Sequence, residues 1–140
     1  MHSDVFGDLR EWGRVLEELQ QLTRGRALDG HQDALLRLLR YRDNWRLREA
    51  ALEAVRSVSS PSEALLTEVT RIMSDATLYN EVRVLAAEAL AQCIATGRAD
   101  KGRRNAAIEQ QAIDQMHALL DTQQPPVLHQ AIRRVLPTVE

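Results

Sequence analysis

Aromatic residues, cysteine and net charge are all scarce in this sequence of 140 residues. Aromatic side chains make up 4% of the chain, and β-branched residues never alternate over a strand-length window, so the usual signal of a β-sheet is missing. The single cysteine, Cys93, cannot form an internal disulfide. The 18 basic and 20 acidic side chains leave a formal charge of -2, which gives no overall basic field to attract nucleic acid or anionic lipid. These absences argue against a β fold, a disulfide-stapled fold and a nucleic-acid-binding protein.

Long apolar segments are missing as well. No stretch approaches the roughly 20 consecutive apolar residues that span a bilayer, and residues 1–10 carry acids rather than the apolar run of a signal peptide. The chain is nevertheless 44% hydrophobic and 27% charged, which is an ordinary globular composition. We therefore expect one folded domain in the cytoplasm, without membrane contact.

Helix-forming residues dominate what remains. Leu, Ala, Glu, Arg and Gln recur at spacings of three and four residues, which predicts an all-α protein. The expected bounds of its seven helices are about 8–23, 29–41, 45–58, 60–74, 80–95, 105–120 and 126–136. Every connection is short, so consecutive helices are expected to pack antiparallel.

Particular residues mark the predicted helix ends. Ser60 as N-cap, Pro61 at the first helical position and Glu63 in a capping box give the clearest start signal. Asp29 is the expected cap of the second helix. The expected stops of the first, fifth and seventh helices are Gly25, Gly97 and Pro137. The buried stripe of the first helix is expected to contain Leu9, Trp12, Leu16 and Leu19.

One apolar template recurs on the third, fifth and seventh helices, at positions i, i+3, i+4, i+7, i+8 and i+11. Its members are Leu47, Ala50, Ala51, Ala54, Val55 and Val58; Val82, Leu85, Ala86, Ala89, Leu90 and Cys93; and Leu128, Ala131, Ile132, Val135, Leu136 and Val139. The alanines in the middle of the first two copies would let neighbouring helices approach closely. The template therefore predicts three repeated helices that share one buried face.

Two segments carry a more specific pattern, in which a polar turn leads to an arginine and then to an alanine-rich helix. They are residues 38–51, with Arg48, and residues 81–90, with Arg83. This pattern resembles HEAT repeats. The resemblance implies that the two arginines join a ladder with acids of the turns, for which Asp43 and Asp75 are available. In the third copy His129 stands at the arginine position, so the terminal repeat is degenerate.

The resemblance also implies an architecture. It is a short right-handed α-solenoid of antiparallel helix pairs that forms one HEAT-like domain over residues 1–140. Within it, a capping helix (8–24) precedes three helix pairs at 30–58, 60–96 and 105–138. The interval between the two arginines lies closer to the tetratricopeptide period of about 34 residues than to the ~40–47 of HEAT repeats. The Trp-Leu-Gly-Tyr signature of the tetratricopeptide family is absent, so HEAT is preferred.

No convergent set of catalytic groups is visible. The chain contains no Gly-rich phosphate loop, Cys-x-x-Cys, His-Glu-x-x-His or Gly-x-Ser-x-Gly motif, so we expect neither an enzyme nor a bound cofactor. Asp114, His117 and Asp121 share a helix face at metal-ligand spacing, but a solvated polar face is the favoured interpretation. Cys93 lies on the apolar template and is expected to be a core residue.

HEAT proteins commonly bind other proteins through the outer face of the second helix of each pair. The repeat register predicts that this face contains Trp45, Glu49, Glu53, Val84, Glu88, Gln130 and Arg134. The acids at equivalent positions favour a partner with a basic surface. Trp45 fits an interface anchor and equally fits packing into the adjacent turn.

A basic connection before the sixth helix is a second candidate. It contains Arg98, Lys101, Arg103 and Arg104, whose positive charge opposes the dipole of the helix that follows. A solvated loop is favoured over an anion contact. Two other functions stay open: a nucleic-acid binder resembling the HEAT-like DNA glycosylases, and an enzyme resembling the HEAT-type bilin lyases. The favoured prediction is a non-catalytic scaffold or adaptor that binds another protein.

Overall fold

The computed structural model describes residues 4–99 and 105–140, and within these ranges the fold consists of helices without a strand. The seven α-helices are α1 (Trp12–Arg24), α2 (Gln32–Arg40), α3 (Trp45–Val55), α4 (Glu63–Ser74), α5 (Asn80–Ala99), α6 (Ala106–Leu120) and α7 (Pro126–Val139). A 3-10 helix (Leu28–His31) leads into α2. The all-α prediction and the number of helices are confirmed for the described part of the chain. No helix within it has the length and apolar character needed to cross a bilayer.

The helices pack in a regular order. Consecutive helices contact each other in the pairs α2–α3, α4–α5 and α6–α7. Next-but-one helices are also in contact. The even-numbered pairs are α2–α4 and α4–α6, and the odd-numbered pairs are α1–α3, α3–α5 and α5–α7. One continuous hydrophobic core, from Phe6 to Val139, lies between these helices.

The apolar template identified this core well. Sixteen of the eighteen template residues, including Val58 and Cys93, are buried. The other two, Ala50 and Leu85, are partly buried and pack against the same core. Since burial of apolar side chains is the main favourable term in folding, this shared face holds α3, α5 and α7 together.

Two predicted N-caps are wrong, because both residues serve other segments. Helix α4 begins after Ser62, whose hydroxyl accepts a hydrogen bond from the Leu65 amide at 3.1 Å. The carboxylate of Asp29 does not cap α2; it accepts hydrogen bonds from the amides of Ser59 and Ser60 at 2.9 and 2.8 Å. Asp29 therefore holds the turn between α3 and α4, about 30 residues further along the chain.

The first helix begins at Trp12 instead of Asp8. The Asp8 carboxylate accepts a hydrogen bond from the Arg10 amide at 3.0 Å, which stabilises a turn at this point. Leu9 is buried from that turn, whereas Trp12 is 47% exposed and Val15 takes its expected place in the core. The predicted stripe is thus wrong at Trp12.

Two helices continue past their predicted stops. Helix α5 runs through Gly97 to Ala99, because Gly97 is a packing residue: a Cβ atom there would lie 2.6 Å from Oε2 of Glu109 in α6. Helix α7 runs through Pro137, and Val139 beyond it is fully buried. Burial of Val139 offsets the hydrogen bond that the proline cannot donate. Gly25 directly follows the last residue of α1, as predicted.

Candidate functional site

Two exposed aromatic rings meet where α3 and α5 begin. Trp45 is the first residue of α3, which Asn44 caps by accepting a hydrogen bond from the Arg46 amide at 2.9 Å. Tyr79 immediately precedes α5, and its carbonyl accepts the first helical hydrogen bond, from the Arg83 amide. Because α3 packs against α5, the two rings make an edge-to-face contact with centroids 6.3 Å apart and planes at 68°.

This aromatic pair remains in contact with water. Trp45 is 46% exposed and Tyr79 is 64% exposed. The guanidinium group of Arg46 lies 5.5 Å from the centroid of the Trp45 ring, which is cation–π geometry. Large aromatic side chains at the surface are characteristic of sites that bind other proteins, since they bury much apolar area at a small entropic cost.

A groove of about 480 Å³ adjoins the two rings, and we call it the aromatic groove. It is lined by Trp45, Glu49, Tyr79, Glu81 and Val82. Glu49 lies one helical turn after Trp45 on the same face of α3, and Val82 is buried in the first turn of α5. Neither glutamate has an ion-pair partner in the described part of the chain. The groove therefore combines apolar surface with two carboxylates that have no ion-pair partner among the described residues.

A second cleft, of about 380 Å³, lies on the other side of the aromatic pair and contains arginines. Its lining includes Arg42, Arg48 and Arg71 together with Asp43 and Asp75. Arg71 binds the buried carboxylate of Glu68, and this hydrogen bond raises the pKa of the guanidinium. Arg71 and Asp75 of this cleft are thus paired within the chain, unlike the two glutamates of the aromatic groove.

The predicted ladder of Arg48 and Arg83 with Asp43 and Asp75 is wrong. Among residues 4–99 and 105–140, neither guanidinium lies within 4 Å of a carboxylate. Arg48 Nε donates instead to the Leu39 carbonyl at 2.9 Å and Arg83 Nε to the Met73 carbonyl at 2.9 Å. The acceptors are the second-last residues of α2 and α4, where helix carbonyls have no partner within the helix.

His129 also contacts a helix-terminal carbonyl group, at the end of α6. Its Nε2 atom lies 3.0 Å from the carbonyl oxygen of Leu119, the second-last residue of that helix, and 3.0 Å from the carbonyl oxygen of Thr122. Arg48, Arg83 and His129 are each the fourth residue of their helix. We call these three side chains the carbonyl clamps. Burial lowers the pKa of Arg48 and of Arg83, so their guanidinium groups are held in place at a cost in solvation.

The remaining predicted binding residues lie further along α3, α5 and α7. Of the two acids at equivalent positions, Glu88 forms an ion pair with Arg134 at 2.9 Å and so contributes less free negative charge to this face. Glu53 has no ion pair within the described ranges and lines a cleft of about 340 Å³ between α1 and α3. Val84 is partly buried, and Gln130 is exposed.

The basic connection is described only at its start. Arg98 lies in the last turn of α5, where a positive charge interacts favourably with the helix dipole. Lys101, Arg103 and Arg104 lie outside the described residues.

The face of α6 with metal-ligand spacing makes local contacts. Asp114 accepts a hydrogen bond from Gln110, and His117 pairs with Glu140. No group of three or more potential ligands occurs in the described part of the chain.

Sequence reasoning named Trp45 and Glu49 but missed Tyr79 and Glu81. A signal was present, since Tyr79 stands one residue before the position that matches Trp45 in the repeat register. Comparison of the chain with protein-family models, curated proteins and solved structures finds no match. The chemistry of the aromatic groove therefore has to be argued from its own geometry.

Proposed function

We propose that the chain is a short α-solenoid of HEAT type, formed by a capping helix and three antiparallel helix pairs in one domain. The packing of consecutive and next-but-one helices supports this arrangement. The carbonyl clamps support it further, because Arg48, Arg83 and His129 each bind the preceding helix at an equivalent position. A fold made of repeated units is expected to repeat such contacts.

Further support comes from the opposite ends of the helices. The Gln32 side chain at the start of α2 accepts a hydrogen bond from the Ser62 amide at 2.7 Å, just before α4. Asn105, just before α6, donates to the Pro61 carbonyl at 2.9 Å. The starts of α2, α4 and α6 are therefore neighbours, as stacked helix pairs require.

The proposed function is that of a non-catalytic, cytoplasmic scaffold or adaptor that binds another protein through the second helices of its pairs. One observation carries this proposal: the aromatic pair Trp45–Tyr79 is exposed and flanked by the unpaired carboxylates of Glu49 and Glu81. Interfaces are enriched in Trp and Tyr at their centres and use charge to choose partners. The partner is expected to present a basic surface.

Site-specific photo-cross-linking tests the proposal. A benzophenone amino acid replaces Asn80, which is exposed and lies between the groove residues Tyr79 and Glu81 in the chain, and a control protein carries it at Glu63, which is exposed on α4. With cell extract of the source organism, we expect a discrete cross-linked protein from position 80 and none from position 63. The unlabelled protein should compete for it, and a Tyr79→Ala variant should not. Equal cross-linking at both positions, or none at position 80, would count against the proposal.

The charge of the second-helix face offers a separate test. Glu53→Lys is a cleaner probe than a change at Glu88, because Glu88 already pairs with Arg134. The free energy of unfolding of the variant should lie within about 0.5 kcal/mol of that of the original protein. It should associate more slowly with the cross-linked partner, most visibly at low salt. Unchanged association at low ionic strength would place the partner away from Glu53.

A further inference from the structure

We infer that the aromatic groove binds the arginine side chain of an extended segment of another protein. This inference rests on the proposed function and names the chemistry that the groove recognises. It follows from three properties of the groove: its charge, its exposed ring faces and its buried apolar floor.

The charge of the groove requires a cation. Glu49 and Glu81 lie on opposite helices of the groove and have no ion-pair partner in the described part of the chain. Other acids nearby do have partners: Glu68 binds Arg71, and Glu88 binds Arg134. A cationic ligand in the groove can therefore pair with both of its carboxylates.

The rings select a guanidinium group. The chain itself places the guanidinium of Arg46 over Trp45 at 5.5 Å, so this ring already accepts that group. The Tyr79 ring, 64% exposed, lines the groove and offers a second surface of the same kind. A guanidinium group is planar and weakly hydrated, so it stacks on an aromatic ring while its N–H groups donate to carboxylates. An ammonium group makes the ionic contact without the planar stacking, so lysine should bind more weakly.

The size and floor of the groove fit a side chain on an extended backbone. Its volume of about 480 Å³ lies in the range of roughly 300–1,000 Å³ found for small-ligand sites. Val82 is buried at the floor, where the aliphatic stem of an arginine can pack while its charged end reaches the glutamates.

A titration with defined peptides tests this inference on the full chain. The probe is an acetylated, amidated peptide of Gly and Ser that carries two arginines. Matched peptides carry lysine or the uncharged isostere citrulline instead. Binding is measured by chemical-shift changes of the ¹⁵N-labelled protein, and by Trp45 fluorescence in a Trp12→Phe background. The arginine peptide should shift amides around Trp45, Glu49, Tyr79 and Glu81, and citrulline should weaken binding at least tenfold.

Variants separate the groove from general electrostatics. The double variant Glu49→Gln, Glu81→Gln should weaken binding of the arginine peptide at least tenfold, and Tyr79→Ala should do the same. Glu63→Gln removes one exposed charge from α4 and should change the affinity less than twofold. Circular dichroism and thermal unfolding of each variant establish that it is folded. Equal binding of the arginine and citrulline peptides, or shifts centred outside the groove, would overturn the inference.

The two proposals can fail separately. If position 80 cross-links a protein but the arginine peptide does not bind, the arginine inference is overturned and the interaction function stands. If position 80 cross-links nothing and the peptide does not bind, both are overturned.

Discussion

The carbonyl clamp of Arg83 allows a quantitative test of what holds the helix pairs together. This side chain is only 1% exposed. Its Nε donates to the Met73 carbonyl at 2.9 Å, and its Nη2 donates to Oε1 of Gln124 at 3.0 Å. Arg83→Met keeps most of the apolar stem and removes the guanidinium group. The perturbation therefore removes the two hydrogen bonds with little change in packing.

Two effects of opposite sign determine the result. Leaving a buried carbonyl without a donor costs about 1–3 kcal/mol, and hydrogen bonds to charged groups contribute about 1.5–3 kcal/mol. Acting in the opposite direction, the variant avoids the desolvation cost of burying a cation. Burial lowers the pKa of Arg83, which reflects this cost. We expect a net loss of about 2 kcal/mol in the free energy of unfolding, because the loss of both hydrogen bonds outweighs the relief. This corresponds to a decrease in Tm of roughly 5–10 °C.

Urea unfolding followed by circular dichroism at 222 nm measures this loss. Arg133→Met is the matched control, because Arg133 is exposed on α7 and makes no hydrogen bond or ion pair in the described part of the chain. The free energy of unfolding of the control variant should lie within about 0.5 kcal/mol of that of the original protein. If Arg83→Met is as stable as the control, then the carbonyl clamp does not stabilise the fold, and the reasoning is refuted.

Three further predictions follow from the same structure. Gly97→Ala places a methyl group against the buried Glu109 side chain, which costs about 1–3 kcal/mol, while alanine in a helix returns about 0.5–1 kcal/mol, so the variant should be destabilised by about 1 kcal/mol. In Gly13→Ala the new methyl group meets open space in α1, so this variant should be more stable than the original protein by about 0.5–1 kcal/mol. A higher urea midpoint for Gly97→Ala than for Gly13→Ala would contradict both predictions. The hydrogen bond from the Arg37 guanidinium lowers the pKa of the Asp4 carboxyl below its ordinary value of 3.8. The contribution of this contact to folding is therefore fully present above pH 3.8 and is lost as the pH falls through the lowered pKa of Asp4. Asp4→Asn should therefore destabilise at about pH 6, and its difference from the original protein in urea midpoint should shrink as the pH falls through the lowered pKa. Burial raises the pKa of Cys93 to about 12, so Ellman's reagent should react only as fast as the protein unfolds, and rapid labelling in native buffer would contradict this.

The core was predictable because helical periodicity is a local property of the sequence. The template on α3, α5 and α7 records which side of each helix faces its neighbours, and no long-range information is needed to find it. Helix ends were less predictable. Asp29 looks like a cap in the sequence, but it binds a turn about 30 residues away. Gly97 looks like a stop, but its role depends on Glu109 in the next helix.

The candidate site was half predictable for a related reason. Trp45 and Glu49 are one turn apart on one helix, so the sequence places them on the same face. Tyr79 and Glu81 join them only because α5 packs beside α3 with a particular offset, and a single sequence does not contain this offset. The clamp acceptors are not predictable in the same way, because the resemblance to HEAT repeats pairs the arginines with acids, whereas a helix-terminal carbonyl belongs to the backbone and has no residue type that marks it.

The uneven packing of the helices has a consequence for local opening. Helix α5 contacts α3, α4, α6 and α7, whereas α1 packs mainly against α3. The free energy needed to expose backbone amides should therefore be greatest in α5 and smallest in α1, with the other helices between them. Hydrogen exchange would then proceed from the edge of the fold toward its centre. The aromatic groove joins the start of α5 to the start of α3, so one wall of it is anchored to the helix that is expected to open least readily. A partner bound there would find a surface that is already ordered, and little of its binding free energy would be needed to order it.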